Sequence, residues 1–156
     1  MRYFILVSAV IALDQVVKRL VTIYLAPGVL SQGGITVIPG IFEITYVSNT
    51  GAAFSIFQGQ RFFLIITAMI VIVSLLIFVY LRRGKEQSLL IFAAALIAGG
   101  GTGNLIDRIR FGAVVDFLAF WSFPVFNIAD IAVCTGCGLV ILHFVLLEYK
   151  TRKSSS

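Results

Sequence analysis

Charge is what this sequence has least of. Asp, Glu, Lys and Arg make up 12% of its 156 residues, while 60% are hydrophobic and the mean hydropathy is +1.05. A soluble domain carries about 25% charged residues, so the shortage excludes that class and points to an integral membrane protein. The formal charge of +5 does not describe a nucleic-acid surface. The cations sit at the ends of apolar runs and form no stripe, so no nucleic-acid partner is expected. Histidine is nearly absent. His143 stands alone in an apolar run as a packing or interface residue, and without an acid–histidine cluster the composition argues against a metal or other cofactor. Cysteine is confined to Cys134 and Cys137, a C-T-G-C in the last apolar run. A redox motif would need a βαβ context that is missing, which leaves two small residues on a buried helix face. Repeats, low-complexity tracts and linkers are lacking, and a single membrane domain over 1–156 suits the length.

What is abundant is apolar sequence in long runs. A spanning helix needs about 20 mainly apolar residues, and four stretches qualify, at about 3–25, 62–81, 88–106 and 128–147. The first resembles a signal peptide at its start, with Arg2 before an apolar run. No small-residue cleavage site follows, so it is expected to be a retained span. Arg2, Arg82, Arg83, Lys85, Lys150, Arg152 and Lys153 all fall on one side of a four-span chain, against Arg61, Arg108 and Arg110 on the other. The positive-inside rule then places both termini and the 82–87 loop in the cytoplasm. Segments 26–61 and 107–127 lie outside. The first of these, "GGITVIPGIFEITYVSNTGAAFSIF", is rich in β-branched and aromatic residues with Gly and Pro punctuation, and predicts short strands. The expected class is an all-α membrane protein of four transmembrane helices with a small extracytoplasmic β-rich cradle.

An ionisable residue inside a membrane is costly, and is a functional candidate by default. Asp14, Lys18 and Arg19 lie in or near the first span, Asp107 and Arg108 end the third, and Asp116 and Asp130 flank the outer loop before the fourth. Asn49, Asn104 and Asn127 sit in apolar neighbourhoods. On the four-span topology the set converges near the outer leaflet, around one pocket. Several members have plain structural readings beside the functional one. Asp14 and Lys18 are i, i+4 and can form an ion pair within one helix. Asp107 can pair with Arg108 or Arg110. Asn127 can be the N-cap of the fourth span. "GGGTG" at 99–103 resembles a phosphate loop but lacks the Lys-Ser/Thr of one, and close helix packing accounts for it better.

Asp116 and Asp130 have no cation near them in sequence. They would stand about 21 Å apart along one helix, but Pro124 in "WSFP" disfavours a continuous helix and restricts the residue before it. A re-entrant loop or hairpin can bring them together. Two carboxylates meeting in an apolar site share a proton, with one apparent pKa raised. Such a pair can activate a water against a peptide carbonyl and protonate the leaving amine. Membrane aspartates also serve proton-coupled transporters and hydrogen-bonded scaffolds.

Five blocks in order, "DQVVK" (from Asp14), "NTGAAFS" (from Asn49), "GGGTGNLIDR" (to Arg108), "VVDF" (around Asp116) and "FNIADIAV" (around Asp130), resemble the lipoprotein signal peptidase family, signal peptidase II of bacteria. The resemblance covers nearly the whole chain. It implies an intramembrane aspartyl endopeptidase that cuts a prolipoprotein on the N-terminal side of a lipobox cysteine already carrying a diacylglyceryl thioether. It further implies a monomer in the bacterial inner membrane, in contact with lipid, with its active site near the outer leaflet. Asp116 and Asp130 match the catalytic dyad. Asn49, Gly51, Asn104, Asp107, Arg108 and Asn127 match supporting residues around the substrate, and Asp14 and Lys18 an accessory pair. Ile131 stands where Ser is often found after the second aspartate, away from the dyad itself.

Overall fold

A computed structural model describes residues 1–27, 34–51, 57–82 and 88–154. Ala52–Ser55 of the "NTGAAFS" block, and Arg83 and Lys85 of the basic loop, lie outside the described residues. The chain runs α1 (Arg2–Leu25), β1 (Gly34–Ile38), β2 (Phe42–Asn49), α2 (Arg61–Arg82), α3 (Ser88–Phe111), β3 (Val114–Phe120) and α4 (Ile128–Ser154). Three of these helices, α2, α3 and α4, are long and apolar enough to cross a membrane. The fourth, α1, has the length, with 24 residues, but carries the charges of Asp14, Lys18 and Arg19.

The helix ends follow local chemistry. Through α2 there is neither Gly nor Pro to interrupt the ladder. Instead of ending at 106, α3 runs to Phe111, because its breaker is Gly112: that residue takes a left-handed φ of +78° and its N–H bonds the Arg108 carbonyl at 3.1 Å, as a glycine after a helix does. Asp107 and Arg108 therefore lie near the end of α3, as expected, and the outer segment begins after Phe111 rather than at 107. Likewise α4 continues past 147 to Ser154, with no breaker in the way and an i, i+4 Glu148–Arg152 pair along it.

Each of the other three helices packs against α3. Small residues allow this close approach. A Cβ at position 100 would collide with the Ala129 carbonyl of α4, and one at 136 would stand 2.8 Å from the Ala93 carbonyl of α3. The 99–103 run is thus a packing surface, as its lack of a nucleotide-binding context implied. The buried face of α4 is formed by Ala129, Ala132 and Gly136. Cys134 and Cys137 are exposed free thiols, offset from that face, which corrects the expectation that they lie on it. His143 is half-buried, with its ring edge-on to Phe144. One apolar cluster joins Tyr3 and Val7 of α1 to Val79 of α2 and Ile91, Ala95 and Ala98 of α3. A second, around the other end of α1, joins Val21 and Leu25 to Val115 and Phe117 of β3.

The strands form one antiparallel sheet in the order β1-β2-β3. β1 and β2 are the short strands anticipated from the 26–61 segment, and they pair as an antiparallel hairpin turning at Gly40 with φ +72°. The third strand was not anticipated. "VVDFLAF" pairs with β2 so that Asn49 faces Val114 and Val47 faces Asp116, with the register shifting between Ile44 and Val47. The sheet therefore carries Asn49 and Asp116 on adjacent strands and abuts α1 and α3.

Candidate functional site

Asp130 reaches the site because of how α4 begins. Asn127 precedes the helix and accepts the Asp130 backbone N–H on Oδ1 at 2.9 Å, while Asp130 Oδ2 accepts the Asn127 backbone N–H at 3.1 Å. This reciprocal arrangement satisfies two otherwise open donors at the helix start. The N-cap reading and the site reading of Asn127 are thus both met, because its Nδ2 also donates to Asp116 Oδ1 at 2.6 Å. Asp116 is carried in by β3, and Pro124 lies in the turn that leads back to α4.

Each carboxylate oxygen of the two aspartates accepts a donor. Asp116 takes Asn127 on Oδ1 and Asn49 Nδ2 on Oδ2 at 2.9 Å. Asp130 takes Asn104 Nδ2 on Oδ1 at 2.8 Å and the Asn127 backbone on Oδ2. Asp116 is buried and Asp130 half-buried. Burial pushes the Asp116 carboxyl up to about 6, with the Asp130 charge adding to the rise, while the hydrogen bonds from Asn49 and Asn127 pull the other way. Both aspartates, with Asn49, Asn104 and Arg108, line one cavity of about 780 Å³. Its remaining wall is largely apolar, including Val47, Phe123 and Ile131. Its size and its few convergent polar groups in an apolar wall are those of a ligand-binding site.

Behind this wall lies a second polar layer. Lys18 Nζ sits 2.9 Å from Asp14 Oδ2 and 2.8 Å from Asp107 Oδ2. The i, i+4 pair is as expected, but Asp107 pairs with Lys18 and with neither Arg108 nor Arg110. Neighbours at i+1 do not share a helix face, and Asp107 faces α1. Asp107 Oδ2 also accepts the Val115 N–H at 3.3 Å, and Asp14 Oδ1 the Ala129 N–H at 3.0 Å. The layer therefore fixes β3 and the first turn of α4 against α1 and α3. Arg108 donates from one terminal nitrogen to the Gly51 carbonyl at 2.9 Å, and the Gly51 N–H bonds Asn49 Oδ1 at 2.9 Å. Arg108 Nε is buried without a partner among the described residues.

One member was missed from sequence. Gln15 Nε2 donates to Asp107 Oδ1 at 2.9 Å and to the Gly103 carbonyl at 3.1 Å. A neutral amide inside an apolar helix, beside Asp14, was its only signal. Among the described residues no three His, Cys, Asp or Glu side chains converge as metal ligands.

A family model described as Signal peptidase (SPase) II matches residues 6–146. A lipoprotein signal peptidase of Symbiobacterium thermophilum is 42% identical over 150 residues, covering 94% of this chain and 95% of the relative. One from Halothermothrix orenii is 46% identical over 141 residues, covering 90% and 92%. A solved structure described as a bacterial membrane enzyme, obtained by the in meso method at 2.3 Å resolution, superposes with a TM-score of 0.82 at 31% identity, covering 97% of this chain and 91% of that one. With a match over nearly its whole length in sequence and in fold, the chain belongs to the signal peptidase II family of lipoprotein-processing proteases.

Proposed function

We propose that Asp116 and Asp130 are the catalytic dyad of this peptidase, acting on a prolipoprotein at the bond N-terminal to its diacylglyceryl-modified cysteine. The observation that carries the assignment is their meeting in one apolar-walled cavity, where Asn127 bonds both and their charges interact. The pair holds one proton between them. The ionised carboxylate takes a proton from a water as its oxygen bonds to the scissile carbonyl carbon, and the protonated one hydrogen-bonds the carbonyl oxygen. The tetrahedral species then collapses. The C–N bond breaks, the nitrogen accepts a proton from the dyad, and the products are a signal-peptide carboxylate and a cysteine with a free amine. Asn49 and Asn104 hold the carboxylates. Arg108 lines the cavity as its one cation among the described residues, and the Gly51 carbonyl keeps its guanidinium in place.

The substrate's lipid gives the bilayer a role in delivery. We infer four spans, with α1 as the fourth. The charges of Asp14 and Lys18 are buried and paired, while Ile5, Leu13, Val16, Leu20 and Ile23 face outward. Arg19 is exposed, on a stem long enough to carry its charge to an interface. The cation distribution supports cytoplasmic termini and a site near the outer leaflet of the bacterial inner membrane, with a monomer as the working unit.

The test is cleavage of a diacylglyceryl-modified lipobox peptide by the reconstituted full chain. Asp116→Asn and Asp130→Asn should each lower turnover by about 10³-fold or more while both variants still fold and melt cooperatively. Near-normal turnover in both would sink the assignment. Loss of the fold in both would make the aspartates scaffold residues instead.

A further inference from the structure

Lys18 does not line the cavity, yet it governs a residue that does. Lys18 is 3% exposed, and its ammonium meets three acceptors, Asp14 Oδ2 at 2.9 Å, Asp107 Oδ2 at 2.8 Å and Asn104 Oδ1 at 2.8 Å. An ammonium has three N–H donors and no acceptor. All three are spent, and the Asn104 atom facing Lys18 has to be its oxygen. Asn127 Nδ2, 3.1 Å from that oxygen, makes the same demand. One orientation of the Asn104 amide remains, with Nδ2 turned to Asp130 Oδ1 at 2.8 Å. Turned over, the amide would set N–H against N–H on one side and carbonyl oxygen against carboxylate oxygen on the other.

We propose that Lys18 is a positioning residue of the reaction: it locks the Asn104 amide so that Asp130 Oδ1 always receives a donor and never has to carry the dyad's proton. The shared proton is then confined to lone pairs that face the water and the substrate. Lys18 works through Asn104 and touches neither substrate nor water in the cavity. This inference rests on the dyad reading above. Asp14 and Asp107 hold the ammonium, and Gln15, bonded to Asp107 Oδ1 at 2.9 Å, holds Asp107.

A double-mutant cycle separates this role from simple support of the fold. Turnover and KM for the diacylglyceryl lipobox peptide are measured for the full chain, for Lys18→Met, for Asn104→Ala and for the pair, with Asp130→Asn alongside. Lys18→Met should lower kcat by about tenfold to a hundredfold, the effect of losing one buried donor contact, with KM nearly unchanged. In the Asn104→Ala background the same change should cost less than about threefold, because the amide it locks is gone. Because Lys18→Met takes the ammonium from two buried carboxylates, the cycle is repeated with Asp14→Asn/Lys18→Met, which leaves only Asp107 without it, still accepting from Gln15 and the Val115 N–H. Factors that multiply in both cycles, together with an inactive Asp130→Asn, overturn the lock and leave the dyad standing. An active Asp130→Asn overturns both.

Discussion

Asp116 lies where opposing influences act on one carboxyl and burial prevails. Burial favours its protonated form, while two amide donors favour the ionised one, and burial wins. The consequence for stability has a definite sign. A carboxyl that titrates near 6 in the folded chain, against 3.8 ordinarily, binds its proton more tightly folded than unfolded. Its contribution is fully present below pH 3.8 and is lost as pH rises through about 6. Relative to Asp116→Asn, the unmodified protein should therefore lose about 3 kcal/mol across that window. Thermal melts of both proteins in one detergent from pH 3.5 to 7 check this, and a stability of the unmodified protein that holds constant or rises relative to the variant as pH rises contradicts it. The two aspartates were legible in sequence because a charge in an apolar run is conspicuous. Gln15 was not, because an uncharged amide on a helix face announces no partner, and its bonds to Asp107 and the Gly103 carbonyl depend on how α1 crosses α3.

Among the elements, the α3–α4 contact sets the site. It brings Asn104 of α3 against Asp130 of α4, and glycine makes the approach possible. Gly100→Ala would drive a methyl into the Ala129 carbonyl, with the Val133 side chain 3.0 Å away. Overpacking of this kind costs about 1–3 kcal/mol, and since the displaced backbone is the first turn of α4, turnover should fall with stability. Gly138→Ala is the control. A Cβ there meets nothing within 4 Å, so the change should be neutral or stabilise by up to about 1 kcal/mol through helix propensity. Parallel melting and cleavage measurements decide it, and equal effects at both positions would refute this account of the packing. The helices and the presence of short strands in the 26–61 segment were legible from run length and from Gly and Pro punctuation. β3 was not. Its seven residues follow a helix without a polar break, and "VVDFLAF" becomes a strand only because β2 offers an open edge at the right height.

At the scale of the whole molecule, charge sorts to the two ends of an apolar bundle. Arg2, Arg82, Lys150, Arg152 and Lys153 occupy helix termini that four spans would place together. The sheet and the dyad belong to the opposite end. A reporter joined after Lys153 should then be active only on the cytoplasmic side of the membrane, and one inserted after Ser122 only on the other. Finding both on one side would mean that α4, the one helix between the two positions, does not span. This arrangement was readable from sequence because it depends on counts of cations between apolar runs. The Lys18–Asp107 pairing was not, since it depends on which faces of two helices meet.

The aromatic turn between the two aspartates is fastened by main-chain atoms. The Phe126 carbonyl accepts N–H bonds from Phe117 at 3.0 Å and Leu118 at 2.8 Å, and the Trp121 N–H bonds the Ile41 carbonyl at 2.7 Å. The side chains of Trp121 and Ser122 at its tip are exposed. The chain has thereby separated two design variables. Backbone bonds set the spacing of the acids, and the exposed side chains set how the turn meets its surroundings. An engineer could recast the second for a different lipid without rewriting the first.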